Sequence, residues 1–150
     1  KTLLYLIEKE TKKYVDIEKF IHMCLFDALI GNHDRHGRNI GFLVSSKGTA
    51  LSPIYDNTSA LGLEQGSILK ANWEPRGKIA TSNTNEPIPS DYVREFIKLK
   101  YREPVEDFIK RINLKKIQQF IEQSFCSELM KNALWTLMKR REQELRDAIK

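Results

Sequence analysis

Cysteine is scarce in this 150-residue chain: there are two, Cys24 and Cys126, far apart on stretches with helical patterning. That argues against a disulfide-framed secreted fold or a cysteine-built metal centre and points to reduced, buried thiols. No apolar run comes near the roughly 20 residues that cross a bilayer, and the first residues lack the basic, apolar, small-residue order of a signal peptide. A cytoplasmic protein with no membrane partner is expected. No initiator Met opens the sequence, which begins in the mixed segment KTLLYLIEKE, so a piece of something longer is expected. Internal repeats and low-complexity tracts are absent too.

What is present supports a single folded domain over residues 1–150, since 41% hydrophobic residues suffice for one core. The net charge of +5 suits an anionic partner such as a nucleotide. The cations are interleaved with acids instead of gathered in a block, so direct nucleic-acid binding is not expected.

Ile17, Phe20, Ile21, Cys24, Leu25, Ala28 and Leu29 fall at offsets 0, 3, 4, 7, 8, 11 and 12, the inward stripe of an amphipathic helix. Asp16 is the expected N-cap and Gly31 the expected stop. Residues 40–44 and 50–55 read as short strands joined through Ser45-Ser46-Lys47-Gly48 as a hairpin, with Asp56 directly after. Gly and Pro clusters make residues 61–89 an extended loop region, in which Trp73 is expected to pin its segment to the core. Helical patterning then runs through Tyr92, Val93, Phe96 and Ile97, through Val105, Phe108, Ile109 and Ile112 behind a first-turn Pro104, and through Leu114, Ile117, Phe120 and Ile121. A last helix starts near Ser127. Its charged end, residues 139–150, pairs Glu142 with Arg146 at i, i+4 and reads as a solvated face. The fold class is α+β, mostly α-helical, with one small β-hairpin.

Between the first long helix and the hairpin lie nine residues with hardly an apolar side chain, Gly31-Asn32-His33-Asp34-Arg35-His36-Gly37-Arg38-Asn39. Such an insert between hydrophobic segments needs a reason. Asp34 and Asn39 place an acid and an amide on one tight loop, and Asp56 brings a second acid from the end of the hairpin. Phosphoryl transfer needs such a set: hard oxygen ligands for Mg²⁺ and a separate carboxylate to orient the attacking hydroxyl. The five-residue step from Asp34 to Asn39 equals that of the kinase catalytic loop H-R-D-x-x-x-x-N, and Asp56 stands where a D-F-G-type Asp follows its strand. Asn, Asp and Gly are also ordinary turn residues, and Asp56 could simply cap Asn57-Thr58-Ser59. His33, Arg35 and Arg38 are expected to be exposed loop residues.

The run Asp34-Arg35-His36-Gly37-Arg38-Asn39, with the strand pair ending Pro53-Ile54-Tyr55-Asp56-Asn57-Thr58-Ser59, resembles the carboxyl-terminal lobe of HipA-type serine/threonine kinases. Its D-R-H-x-x-N form is also similar to phosphoinositide-kinase-like enzymes. The resemblance covers residues 16–61. It implies a protein-kinase-like carboxyl-terminal lobe with Asp34 as catalytic base, His36 as a loop brace, and Asn39 and Asp56 as the Mg²⁺ and cofactor-binding ligands. It implies ATP as co-substrate, a protein acceptor with a Ser or Thr hydroxyl, and, as for some of the family, a toxin role with a small DNA-binding antitoxin as partner. The glycine-rich loop and ATP-contacting Lys of the amino-terminal lobe have no match in residues 1–150, so this stretch alone is expected to bind ATP weakly and to be inactive. Tyr-Asp-Asn at Asp56 also departs from D-F-G. Three alternatives stay open: a lipid or small-molecule kinase, a non-catalytic pseudokinase or interaction lobe, and a metallophosphoesterase. The last is suggested by Gly31-Asn32-His33-Asp34 but lacks upstream D-x-H and G-D-x-x-D partners.

Overall fold

The computed structural model describes residues 2–59, 69–70 and 73–150. Six α-helices and one antiparallel hairpin form its elements: α1 (Thr2–Thr11), α2 (Tyr14–Ile30), β1 (Phe42–Ser45), β2 (Gly48–Leu51), α3 (Pro89–Lys98), α4 (Arg102–Arg111), α5 (Leu114–Gln123) and α6 (Glu128–Asp147). The mostly helical α+β class expected from the sequence is the observed one. None of the described helices is long and apolar enough to cross a membrane.

Helix α2 is the axis, packed against α1, α3, α4 and α6. All seven stripe residues from Ile17 to Leu29 are buried, and so are Asp16, Met23 and Asp27. The helix is therefore enclosed on more than one side, the situation of a core helix. Gly31 ends it in the left-handed conformation, φ 71°, which glycine adopts without a Cβ penalty. The hairpin is shorter than expected, with register Phe42↔Leu51 to Ser45↔Gly48 around Ser46 and Lys47. Its second strand stops at Leu51 because Pro53 has no N–H to donate; only Ser52 N–H continues the ladder, to the Gly41 carbonyl at 2.9 Å.

Asp16 is not the N-cap. The chain turns helical two residues earlier, at Tyr14, so Asp16 lies inside the first turn. Its buried carboxylate instead accepts from Leu51 N–H at 3.1 Å and Lys19 Nζ at 3.0 Å, tying α2 to β2. Burial alone would raise this carboxyl, but the Lys19 ammonium and the Leu51 N–H outweigh it and hold the group below its ordinary value. A carboxyl depressed in the folded state stabilises above its unfolded value of about 4, and that stabilisation is lost as pH falls through the lower folded value. Asp16→Asn is therefore expected to melt lower than wild type at neutral pH, with the gap narrowing below about pH 4. Melts across that range check this, and a gap that widens on acidification contradicts it.

Within the expected loop region, residues 61–68 and 71–72 lie outside the described residues, Gly62, Gly66 and Ser67 among them. The described remainder is irregular up to Pro89. Trp73 does pin its segment, packing against Leu137 and Met138 of α6 while its carbonyl accepts from Arg140 Nη2 at 2.7 Å. Gly77 is required by close approach, since a Cβ there would sit 2.2 Å from the Tyr92 hydroxyl.

Helix α5 stands where the pattern puts it but buries no residue: Ile117 and Ile121 pack half-buried against the Leu137 and Met138 cluster of α6, while Phe120 is 61% exposed. Two other expectations are corrected. Cys24 is a buried helical thiol, whereas Cys126 is half-buried in the turn before α6. The charged end of α6 is not a solvated face: Arg141, Glu142 and Leu145 are buried, and the Glu142–Arg146 pair forms at the edge of the core. Ser127 does start α6, its side chain accepting from Met130 N–H.

Candidate active site

The polar loop after Gly31 is fixed from below by Asp27, the one acid among the apolar positions of the second half of α2. Its carboxylate, 4% exposed, accepts from Arg35 Nε at 2.6 Å and Arg35 Nη2 at 3.3 Å. It also accepts from Asn32 Nδ2 at 3.0 Å and Asn57 Nδ2 at 2.9 Å. Arg35 is thus no exposed loop residue: it is 2% exposed, and a buried guanidinium persists only when paired and hydrogen-bonded. Its Nη1 reaches on to the carbonyls of Tyr55 at 2.7 Å and Asn39 at 3.3 Å. Asn32 links the other way, with Oδ1 accepting from Asp34 N–H at 3.1 Å and Nδ2 donating to the Asp56 carbonyl at 3.2 Å.

The three residues singled out by spacing come together on this base. Asn39 closes a 3-10 turn, Gly37–Asn39, in which its N–H donates to the His36 carbonyl at 3.0 Å and its Oδ1 accepts from His36 N–H at 3.2 Å. Asn39 Nδ2 then donates to Asp56 Oδ2 at 2.5 Å, so the amide of the loop and the acid after the hairpin are in direct contact. Asp56 does not act as a cap for Asn57-Thr58-Ser59. Its carboxylate points back to Asn39, and its backbone is left-handed at φ 59°, a conformation Asp tolerates better than most residues. Asp34 and Asp56 are both exposed, and the backbone of each is one hydrogen bond from the Asn32 side chain. His36 makes both of the hydrogen bonds to Asn39 in that turn through its backbone. Its ring Nδ1 is buried with no hydrogen-bond partner among the described residues. Arg38 is exposed, its carbonyl accepting from the Tyr55 hydroxyl.

Asn39 and Asp56 are both hard oxygen donors, held in contact at the surface, and so fit Mg²⁺. The amide oxygen keeps a second lone pair beyond the His36 N–H, and the carboxylate keeps acceptor sites beyond Asn39. A two-metal phosphoesterase centre would require several His, Cys, Asp or Glu ligands together, and no three such side chains gather into a metal-binding group among the described residues.

A family model described as the HipA-like C-terminal domain matches residues 1–125. The chain belongs to this HipA-like family. The match is broader than the motif-bearing stretch, taking in α1 to α5 together with the loop and Asp56, and it ends just before α6. Among solved structures, the proinflammatory kinase CtkA of Helicobacter pylori is similar with a TM-score of 0.76 and 24% identity, over 97% of this chain and 57% of that one. The HipA-like lobe seen here thus spans little more than half the length of that kinase. A search of the curated proteins found no match.

Motif spacing alone does not point to Asp27, Asn32, Arg35 or Asn57. One signal was available: an acid among the apolar positions of a core helix is costly to bury without partners, and Asp27 is that acid.

Proposed function

We propose that the chain is the catalytic lobe of an ATP- and Mg²⁺-dependent kinase that phosphorylates Ser or Thr hydroxyls of a protein. One observation carries this reading: Asn39 and Asp56, 17 residues apart, are in hydrogen-bond contact, and the Asn32 side chain joins the backbones of Asp56 and Asp34, an arrangement suited to the metal pair and base of phosphoryl transfer. Asn39 Oδ1 and the Asp56 carboxylate would hold Mg²⁺, which when bound neutralises charge on the phosphates of ATP. Asp34, with its N–H fixed by Asn32, presents an exposed carboxylate that orients the acceptor hydroxyl and takes its proton as the oxygen attacks. The grip on the nucleotide we assign to sequence outside residues 1–150.

The test uses the full-length protein and radiolabelled ATP. Wild type is expected to yield phosphoserine or phosphothreonine on a protein acceptor, and Asp34→Ala to abolish transfer while leaving circular dichroism and melting temperature unchanged, because the side chain is exposed. Transfer retained in Asp34→Ala sinks the assignment. Label appearing only in lipid or small molecules moves the chain to another kinase class.

A further inference from the structure

Resting on that kinase reading, we infer that Asp27 is the positioning residue of the site: one buried carboxylate that sets the places of Asp34, Asn39 and Asp56 without touching substrate or metal. Each of the three is reached from Asp27 through one intermediate side chain. Asn32, held by Asp27 at 3.0 Å, fixes Asp34 N–H and the Asp56 carbonyl. Arg35, held at 2.6 Å, grips the carbonyl of Asn39 and that of Tyr55, the residue before Asp56. Asn57, held at 2.9 Å, locks the residue after Asp56.

The donors on Asp27 therefore come from both segments that supply the candidate ligands, residues 32–35 and residue 57, and from no other part of the fold among the described residues. That distinguishes Asp27 from a group that merely satisfies the core. A carboxylate can accept at all four contacts. An asparagine in its place has one acceptor oxygen and turns an NH₂ towards groups that are themselves donors. It also leaves the buried Arg35 without a counter-charge. The two segments would then lose their shared buried anchor and be held by the hairpin connection, the Asn39–Asp56 contact and the direct links from Asn32, Arg35 and Tyr55, with more freedom to separate. Outer residues that orient metal ligands typically change metal affinity or activity about 10–100-fold when altered.

The experiment is a Mn²⁺ titration of the full-length protein, followed by the loss of the free-ion electron paramagnetic resonance signal, with transfer kinetics and melting temperature on the same samples. Four proteins are compared: wild type, Asp27→Asn, Asp56→Asn and, as a core control outside the hydrogen-bond network of the loop, Leu145→Ala. Asp27→Asn is expected to bind Mn²⁺ about 10–100-fold more weakly and to lose kcat in parallel. Leu145→Ala is expected to melt lower with its Mn²⁺ affinity unchanged, so that loss of stability by itself does not mimic the effect. Wild-type Mn²⁺ affinity and kcat in a folded Asp27→Asn overturn the inference and leave the kinase reading standing. Mn²⁺ binding in wild type no tighter than in Asp56→Asn removes the metal site, and both fall together. Should Asp27→Asn not fold, Arg35→Lys carries the test, since a lysine cannot span the carboxylate and two carbonyls at once; the same tenfold threshold decides it.

Discussion

Arg141→Ala is expected to destabilise the protein by about 3–5 kcal/mol, the scale of two buried carbonyls losing their donor and a cavity opening. The reason lies at the end of α2. The last carbonyls of a helix have no partner within it, and here the Gly31 and Asn32 N–H groups both turn to the Asp27 carbonyl, leaving that of Ala28 unclaimed by the backbone. Arg141, 1% exposed and reaching across from α6, donates its Nε to that carbonyl at 2.6 Å. Its two terminal nitrogens both donate to the Pro75 carbonyl at 3.1 Å, so one guanidinium ties α6 to the root of the polar loop and to the irregular segment. Burial pulls the group down to about 10, against the Glu74 and Glu144 carboxylates that favour its charge, and it stays charged at neutral pH. Alanine leaves two buried carbonyls unpaired, each worth about 1–3 kcal/mol, and adds a cavity. Arg141→Met refills the volume without the hydrogen bonds, so it is expected to recover part of the loss. Urea titrations of the three proteins check the order wild type, Met, Ala; a methionine variant as stable as wild type would show that the carbonyls are satisfied in some other way.

How far the fold was legible depended on the range of the interaction that decides each element. The stripe from Ile17 to Leu29 is a local periodicity, and all seven of its residues are in the core. Gly31 and the Ser46-Lys47 turn are local backbone requirements, and both stand where the sequence put them. Whether an apolar stripe finds a neighbour is a tertiary fact, which is why α5 reads like α3 in sequence yet leaves Phe120 uncovered. The same applies to charge. Glu142 and Arg146 pair as their spacing suggests, but the burial of Arg141 beside them follows from a carbonyl 113 residues away. At the site, the spacing of Asp34, Asn39 and Asp56 was readable because the motif is about sequence distance. Asp27 was legible only as an acid in need of buried partners, because its three partners are on segments that only the folded chain brings over it.

The largest functional effect is expected at Asp56, where two substitutions separate charge from backbone. Asp56→Asn keeps a side chain that tolerates the left-handed conformation and an oxygen that can accept from Asn39 Nδ2, so the fold and the contact should persist. What it loses is the negative charge that, on the proposed kinase reading, would face the nucleotide phosphates and their cation. Transfer in the full-length protein is expected to fall roughly a thousandfold, the scale of loss when a group stabilising transition-state charge is removed from a preorganised site. Asp56→Ala loses the same charge, and a Cβ-bearing residue without the polar side chain also meets the left-handed penalty of about 1–2 kcal/mol. It should therefore be equally inactive and melt lower by a few degrees, at about 2–4 °C per kcal/mol for a chain of this size. Equal inactivity with unequal stability would assign the catalytic loss to charge, since strain and activity would then vary independently. If Asp56→Asn retains transfer, the cation is held by other groups and Asp56 serves only to turn the chain.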